Sequence, residues 1–599
     1  MAEIVSPDFS SRESGYGNTW ENITSKKCFS CVKIIFIFTL FLLYNAYLVY
    51  AAFYSFNKTQ SWCADIKLVI AITVCVYLII LLVQIAKIYN TSTLSGLPTF
   101  MLNRIKMHKY CRCSSSVIAI FVGMILSAVI IIDGSGNDLK LRALAGLWLI
   151  IIISFLLSKH PTQIQIRPVL WCIALEISFA MILKRHEGFI NILACIIEKT
   201  GIFRQYMHVG TEILFGYLVS GNLKSSNNET LLITHNPYAF YDAPVLLFFN
   251  VIFTMMTFLK ITAWIFVKIG WIFEITINTT AIESVVVITN FFWGHAKSIL
   301  FVQTHLGILT KSELHTILVA SFATLGPNVK ILEYLENLQI NETHFILANF
   351  LTLPAIVVFS KLFYPEVSVT VSKYSDISLY SDSSVSNIIS MNLLMSAVKG
   401  AIFGANYVCI VCGNILGFWA MLSFFNDFIH WPLELLNWNY VTLQWIVSLP
   451  FIPLTYMTGV SFQESKIISL CAASGRLWGV NQSFTCLAKK RKEISARSFI
   501  IAIYVCGGFS GIVMTGAYLG AMAFICPTKL PEMAQLLIRA VIAGSFAVLS
   551  TAFIAGTVNL KNTITHRLKN YSIISYCIRR SINTTEFAAV ISKSSKNNK

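Results

Sequence analysis

At 599 residues, 56% hydrophobic and 12% charged, the chain carries about half the charged fraction of an ordinary soluble domain. Such a balance excludes a water-solvated globular protein held by one or two anchors, because no soluble stretch is long enough to be one. The net charge of +17 sits in short loops, which points to orientation in an anionic membrane and away from a nucleic-acid partner.

In chain order, apolar runs long enough to cross a bilayer occupy about 34–56, 68–86, 117–132, 143–157, 168–183 and 244–260. The first is too long and too far from the N-terminus for a simple signal peptide. An interrupted stretch follows at 261–335, then clean spans at 345–363 and 400–425, a second interrupted stretch at 441–527, and a last span at 536–558. Polar tails lie at 1–30 and 561–599. The 15 cysteines show no zinc-type spacing, and most lie inside apolar spans, so small buried side chains are expected and no disulfide framework.

The interrupted stretches carry the functional signal. The first holds Asn278, Thr279, Thr280, Glu283, Ser284 and Asn290, then Thr324, Gly326, Pro327 and Asn328. Polar side chains and non-helical backbone at membrane depth survive only where protein or a wet cavity surrounds them, and they mark substrate or ion pathways. Two such stretches in corresponding halves predict a secondary transporter built from inverted repeats. A short echo, Ser321-Phe-Ala-Thr-Leu325 against Gly508-Phe-Ser-Gly-Ile512, agrees. The basic loop at 87–112 places the N-terminus in the cytoplasm. About eleven crossings then put the C-terminus outside, with the sequons at Asn57, Asn228, Asn341, Asn570 and Asn583 open to glycosylation. The basic run Lys489-Lys-Arg-Lys492 also falls outside on this count, against the positive-inside rule. It is expected to be a solvated loop.

Several motifs, in order and at matching spacing, resemble the concentrative (sodium-coupled) nucleoside transporter family. They are Arg167-Pro-Val-Leu-Trp171, Ala281-Ile-Glu-Ser-Val-Val286, Thr310-Lys-Ser-Glu-Leu-His315, Lys361-Leu-Phe-Tyr-Pro-Glu366, Asn392-Leu-Leu394, Met457-Thr-Gly-Val460 with Phe462-Gln-Glu-Ser465, and Ile538-Arg-Ala-Val-Ile-Ala-Gly544 with Ile554-Ala-Gly556. The resemblance implies an all-α polytopic membrane protein with about eleven transmembrane helices and two re-entrant hairpins, assembled as a homotrimer in the cell membrane. Residues 1–30 would be a cytoplasmic tail, 31–142 additional N-terminal transmembrane helices, 143–560 the transporter core and 561–599 a C-terminal tail. Within the core, hairpins are expected at about 265–296 and 441–484, and broken helices at about 300–335 and 497–527.

The resemblance also implies a site at mid-membrane. The family's G-Q-T-E falls on Gly294-His295-Ala296-Lys297, so its glutamine, threonine and glutamate are all replaced. Its N-E-F-V-A-Y falls on Gly479-Val-Asn-Gln-Ser-Phe484, with the ribose-binding glutamate at Val480, or at Gln482 with a two-residue shift. Its F-A-N-I-G-S falls on Phe509 to Met514, placing Gly511 and Met514 at the lost asparagine and serine. The sodium positions map to Asn290, Trp293, Thr324 and Leu325. Asn290 keeps an amide and Thr324 a hydroxyl, while the other two offer backbone carbonyls. Glu283 and Glu464 are expected to bond unwound backbone, and His315 and Arg539 to be structural anchors. The expected function is sodium-coupled symport of nucleosides or a related small polar solute, with Na+ as coupling ion, no other cofactor and no enzymatic activity. The alternative is an inactive family member with a scaffold or regulatory role. Lys297 reverses the charge of the carboxylate it replaces, which shifts the expected substrate away from neutral nucleosides toward an anion.

Overall fold

A computed structural model describes residues 41–53 with a few neighbours between 39 and 77, then 138–185, scattered positions from 192 to 241, and 243–326, 329–340, 342–368, 392–438, 441–508 and 511–558. The expected span at 117–132, the loop at 87–112, the five sequons, Pro327, Asn328, Phe509, Ser510 and both tails lie outside these residues. The chain divides into two compact units, residues 1–105 and 106–599. In the first unit, α1 (Phe41–Phe53) presents Phe41, Tyr44 and Asn45 on one helical face. The Tyr44 hydroxyl lies 2.7 Å from Thr73 Oγ1, Asn45 Nδ2 donates to the Tyr77 hydroxyl at 3.1 Å, and the Phe41 and Tyr77 rings pack 5.7 Å apart.

Among its described residues the second unit is helical apart from one small hairpin, β1 (Asn222–Lys224) antiparallel to β2 (Thr230–Leu232). Helices α2 (Asp138–Leu156) and α3 (Ile166–Arg185) precede it. After it come α4 (Ala243–Phe258) and α5 (Ile261–Thr276). The first interrupted stretch continues as α6 (Ala281–Trp293), α7 (His295–Phe301), α8 (Lys311–Ala323) and α9 (Val329–Asn337). Then follow α10 (Glu342–Phe363) and the 42-residue α11 (Leu393–Glu434). The second stretch comprises α12 (Leu443–Ser448), α13 (Phe451–Met457), α14 (Phe462–Trp478), α15 (Val480–Lys489), α16 (Ala496–Cys506) and α17 (Gly511–Ile525). The last helix is α18 (Leu530–Val558).

Seven spans among the described residues are long and apolar enough to cross a bilayer, so this is a multi-pass membrane protein. The centre of the unit is α10, 89% of whose apolar window is buried. It packs on α3, α8 and α18. By contrast α11 is buried over only 11% of its window. At 1.5 Å per residue it is about 63 Å long, twice the hydrocarbon thickness, so it must tilt strongly or protrude. Toward its C-terminal end Phe424, Phe428 and Trp431 are exposed, the aromatic character of an interfacial belt.

Without a hydrophobic drive between helices in lipid, α4 and α11 are held by close backbone approach and side-chain hydrogen bonds. Asn250 Nδ2 donates to the Gly400 carbonyl at 2.8 Å, and Thr254 and Ser396 exchange hydroxyl-to-carbonyl bonds at 3.2 and 3.0 Å. A Cβ on Gly400 would come within 2.9 Å of Val251 Cα, and one on Gly404 within 2.9 Å of Leu247 Cα.

Two expectations are corrected. The hairpins do not begin at 265 and 441. The residues there form separate helices, α5, α12 and α13, and the hairpin arms are 281–301 and 462–489. The left-handed Asn278 and the Thr280 cap divide α5 from α6. Nor are all the cysteines free: Cys471 on α14 and Cys486 on α15 form a disulfide across the second hairpin. Cys172 and Cys506 are buried free thiols, as expected.

Overpacking at the α4–α11 crossing costs about 1–3 kcal/mol. Gly400→Val and Gly404→Val should each lower the thermal unfolding midpoint of detergent-purified protein. Gly413→Val is the control, since a Cβ there meets nothing within 4 Å; an equal loss in all three would refute the close-packing account.

Candidate functional site

Both hairpins turn at a glycine that only left-handed backbone permits. Gly294 (φ 79°) joins α6 to α7, and Gly479 (φ 106°) joins α14 to α15. Each tip packs backbone to backbone on the interruption of a broken helix. The first break, Thr324 to Gly326, follows α8; the second precedes α17 at Gly511. A Cβ on Gly326 (φ 70°) would sit 2.9 Å from both the Asn290 carbonyl oxygen and the Gly294 nitrogen. A Cβ on Gly511 (φ 80°) would sit 3.0 Å from the Gly475 carbonyl oxygen and the Gly479 nitrogen. These are the same two atoms relative to each tip, and in both halves 32 residues separate tip glycine from break glycine. The inverted repeat is therefore real, in a register two residues from that of the short echo. The two breaks also meet, since a Cβ on Gly508 would lie 2.9 Å from the Ala323 carbonyl.

The sequence itself carries a signal for this register. Trp293-Gly-His-Ala-Lys-Ser298 and Trp478-Gly-Val-Asn-Gln-Ser483 share Trp-Gly and a serine four residues after the glycine. In the first hairpin Ser298 Oγ bonds across to Asn290 Oδ1 at 3.2 Å. In the second, Ser483 packs on Gly475 and donates to the Cys471 carbonyl at 2.8 Å.

The expected substrate residues gather around this core. His295, Ala296 and Lys297 form the first turn of α7, and all three are half-buried. The His295 ring lies 6.2 Å from that of Tyr518 on α17, and its Nδ1 is buried without a hydrogen bond. The Ala296 carbonyl accepts from the Tyr407 hydroxyl of α11 at 2.8 Å. On α17, Gly511 faces the second tip, Met514 is half-buried, and Tyr518, two turns on, faces the first tip. Val480 is buried at the start of α15, whereas Gln482 is exposed.

The expected sodium residues converge on the first tip. Asn290 and Thr324 are fully buried, and Asn290 Nδ2 and Thr324 Oγ1 have no hydrogen bond. Trp293 is the last residue of α6, its ring 4.9 Å from that of Phe249, and the Leu325 carbonyl faces Gly294. Two hydroxyl or amide oxygens and two helix-end carbonyls are the donor set a hard monovalent cation requires, so the residues fit sodium.

Residues 145–218 match the family description "Na+ dependent nucleoside transporter N-terminus" and residues 344–556 "Na+ dependent nucleoside transporter C-terminus". The chain belongs to the concentrative nucleoside transporter family. It is 30% identical over 497 residues to Solute carrier family 28 member 3 of Mus musculus, covering 80% of this chain and 66% of the relative. To the Homo sapiens protein of that name it is 30% identical over 433 residues, 70% and 60% respectively. Sodium/nucleoside cotransporter 2 of Rattus norvegicus is 26% identical over 456 residues, 73% and 65%. The chain thus spans just under two thirds of the length of these relatives. Among solved structures, an outward-facing CNTnw variant superposes with TM-score 0.62 at 22% identity, over 70% of this chain and all of that one. An inward-facing, substrate-bound CNTnw gives 0.54. At that identity the likeness establishes the fold.

Two glutamates, Glu283 and Glu464, brace the hairpin roots. Glu283 accepts from the Thr280 nitrogen at 3.2 Å and Thr316 Oγ1 at 2.9 Å, and pairs with Lys361 of α10. Lys361 also donates to Ser312 Oγ at 3.1 Å. Thr310 and Glu313 form a second capping box at the start of α8, and Thr310 Oγ1 donates to Glu366 at 2.7 Å. Glu464 does this for the second hairpin, accepting from the Ser495 nitrogen at 2.6 Å and Ser498 Oγ at 2.9 Å. Both acids are structural, as expected, and so is Arg539, which donates to the Leu157 carbonyl at 2.6 Å.

Removing one member of a buried ion pair costs about 3–5 kcal/mol, while replacing both is far milder. Glu283→Gln and Lys361→Met should each abolish or strongly lower the folded yield. The double variant should recover at least part of it in thermal unfolding. A double variant worse than both singles would refute the pairing.

Proposed function

We propose that this chain is a sodium-coupled secondary active transporter of nucleosides or a related small polar solute, not an enzyme, working as a homotrimer in the cell membrane. The observation that carries the reading is the pair of glycine tips docked on two helix breaks, with buried amide and hydroxyl groups converging at the first. Residues 143–560 would be the working core, 31–142 additional helices, and 1–30 and 561–599 tails.

Sodium would be held by Asn290, Thr324 and the carbonyls of Trp293 and Leu325. These ligands come from both sides of the first tip–break contact, so the ion bridges tip to break and favours the state in which they touch. Substrate would lie between the tips, against His295, Lys297 and the Gly511–Met514–Tyr518 face of α17, with Val480 on the second tip. The Ala296 carbonyl is committed to Tyr407, so the first tip would address substrate mainly through side chains. Because ion and substrate both favour the tips being closed on the breaks, each raises the other's affinity by the same factor.

Radiolabelled uptake of uridine and adenosine by cells expressing the chain should fall to background when choline replaces sodium. Flux unchanged by choline would overturn sodium coupling. Thr324→Ala should raise the sodium concentration for half-maximal uptake several-fold, as loss of a buried oxygen ligand of about 1 kcal/mol implies. Lys297→Glu with His295→Gln should raise uridine and adenosine uptake above wild type. If wild type already equals the double variant, Lys297 has not shifted the substrate preference.

A further inference from the structure

We infer that Ser298 is a positioning residue for the cation site, fixing the side-chain amide of Asn290 with its oxygen turned toward the ion. The inference rests on the sodium reading of the first tip.

Ser298 is fully buried on α7. Its Oγ lies 3.2 Å from Asn290 Oδ1 and 3.0 Å from the His295 carbonyl oxygen. A hydroxyl has one proton and cannot donate to both acceptors. With the amide so placed, Asn290 Nδ2 is left buried and unbonded, its lost hydration offset by nothing. The oxygen and nitrogen of an amide are assigned from the hydrogen bonds they make. A half-turn of the Asn290 amide removes the conflict. Nδ2 then donates to Ser298 Oγ and Ser298 donates to the His295 carbonyl, so the hydroxyl proton has a single acceptor. Asn290 Oδ1 takes the buried position in which the amide nitrogen finds no acceptor. A cation would complete an oxygen there, and Thr324 Oγ1 is also buried without a hydrogen bond. Thr324 stands two residues before Gly326, which packs on Asn290's own carbonyl.

The second hairpin supplies an internal comparison. Ser483 holds the equivalent place after Gly479, but the residue equivalent to Asn290 is Gly475, and Ser483 bonds the Cys471 carbonyl instead. The serine is shared, while the amide it would orient exists only in the first half.

The test is thermal unfolding of the detergent-purified full chain, titrated with sodium chloride against choline chloride at equal ionic strength. Stabilisation by a ligand of the folded state follows its concentration over Kd, so the sodium midpoint is read without any substrate. Wild type should be stabilised by sodium and not by choline. Ser298→Ala should raise the sodium midpoint about tenfold, or about 1.4 kcal/mol. Ser298→Thr, which keeps the hydroxyl, should stay near wild type, and Ser483→Ala should leave the midpoint unmoved. A merely structural serine would lower the unfolding temperature in choline and leave the midpoint unchanged, and that result overturns the assignment. If Ser298→Ala does not fold, Ser298→Cys replaces it; the weaker thiol should raise the midpoint, and an unshifted midpoint again overturns it. Wild type without a sodium-specific shift overturns the sodium reading and this inference together.

Discussion

Everything in the core depends on how backbone amides that leave helical geometry are satisfied away from water. An unbonded peptide group in hydrocarbon costs several kcal/mol, so a chain that turns back at mid-membrane must supply its own partners. Here each turn is pressed on an interruption in another helix. The contact is so close that glycine is required at Gly294, Gly326 and Gly511, where positive φ and backbone neighbours at about 3 Å leave no room for a side chain. The Gly294 and Gly479 nitrogens still complete the last turn of their own arms, on Asn290 and Gly475. Each tip therefore sets one helix C-terminus beside one N-terminus, and the two tips concentrate four half-helix ends in a small volume. Those ends supply the fixed partial charges for ions and polar solutes.

The roots of the hairpins are secured differently from the tips. Both begin with a capped turn and a carboxylate, Thr280 with Glu283 and Ser461 with Glu464. At the second root the carboxylate is partly exposed and bonds only neutral groups. At the first it is buried, and so it needs the cation of Lys361. Burial decides the chemistry: the same capping device requires a counter-charge in one half and none in the other.

Much of this was legible in the sequence. The second broken helix was placed within a few residues, while the first was begun at about 300 although Thr310-Lys-Ser-Glu is itself a capping box that fixes the start of α8 at Lys311. The first tip was found from the same anchor. The hairpin starts were missed because each interrupted stretch opens with separate helices, α5 or α12 and α13, and the true starts are marked only by the caps Thr280 and Ser461. The Cys471–Cys486 disulfide was illegible, since a separation of 15 residues acquires meaning only once Gly479 is known to fold the arms together. The twin Trp-Gly-x-x-x-Ser runs were legible and unread. Gln482, offered as an alternative to Val480, lies on an exposed face that only three-dimensional packing reveals.

The two halves share a backbone plan and differ in what fills it. The second tip is closed by a disulfide, by Ser483 on Gly475, and by Tyr334 of α9, which bonds Thr485 on α15. All of these tie the arms to each other or to a neighbour, and none presents an unbonded group to the break. At the first tip Val286 and Phe301 stand where the second has its two cysteines, and Asn290, Ser298 and His295 bring an amide, a hydroxyl and an imidazole to the turn. Polar atoms there remain unbonded at Asn290, His295 and Thr324. A packed protein interior does not tolerate such atoms without a compensating role. The second tip is thus closed by covalent and hydrogen-bonded ties, while unbonded polar atoms gather at the first tip and on Tyr518, which faces it. That is the arrangement expected if one hairpin serves as a rigid wall and the other as the surface that ions complete.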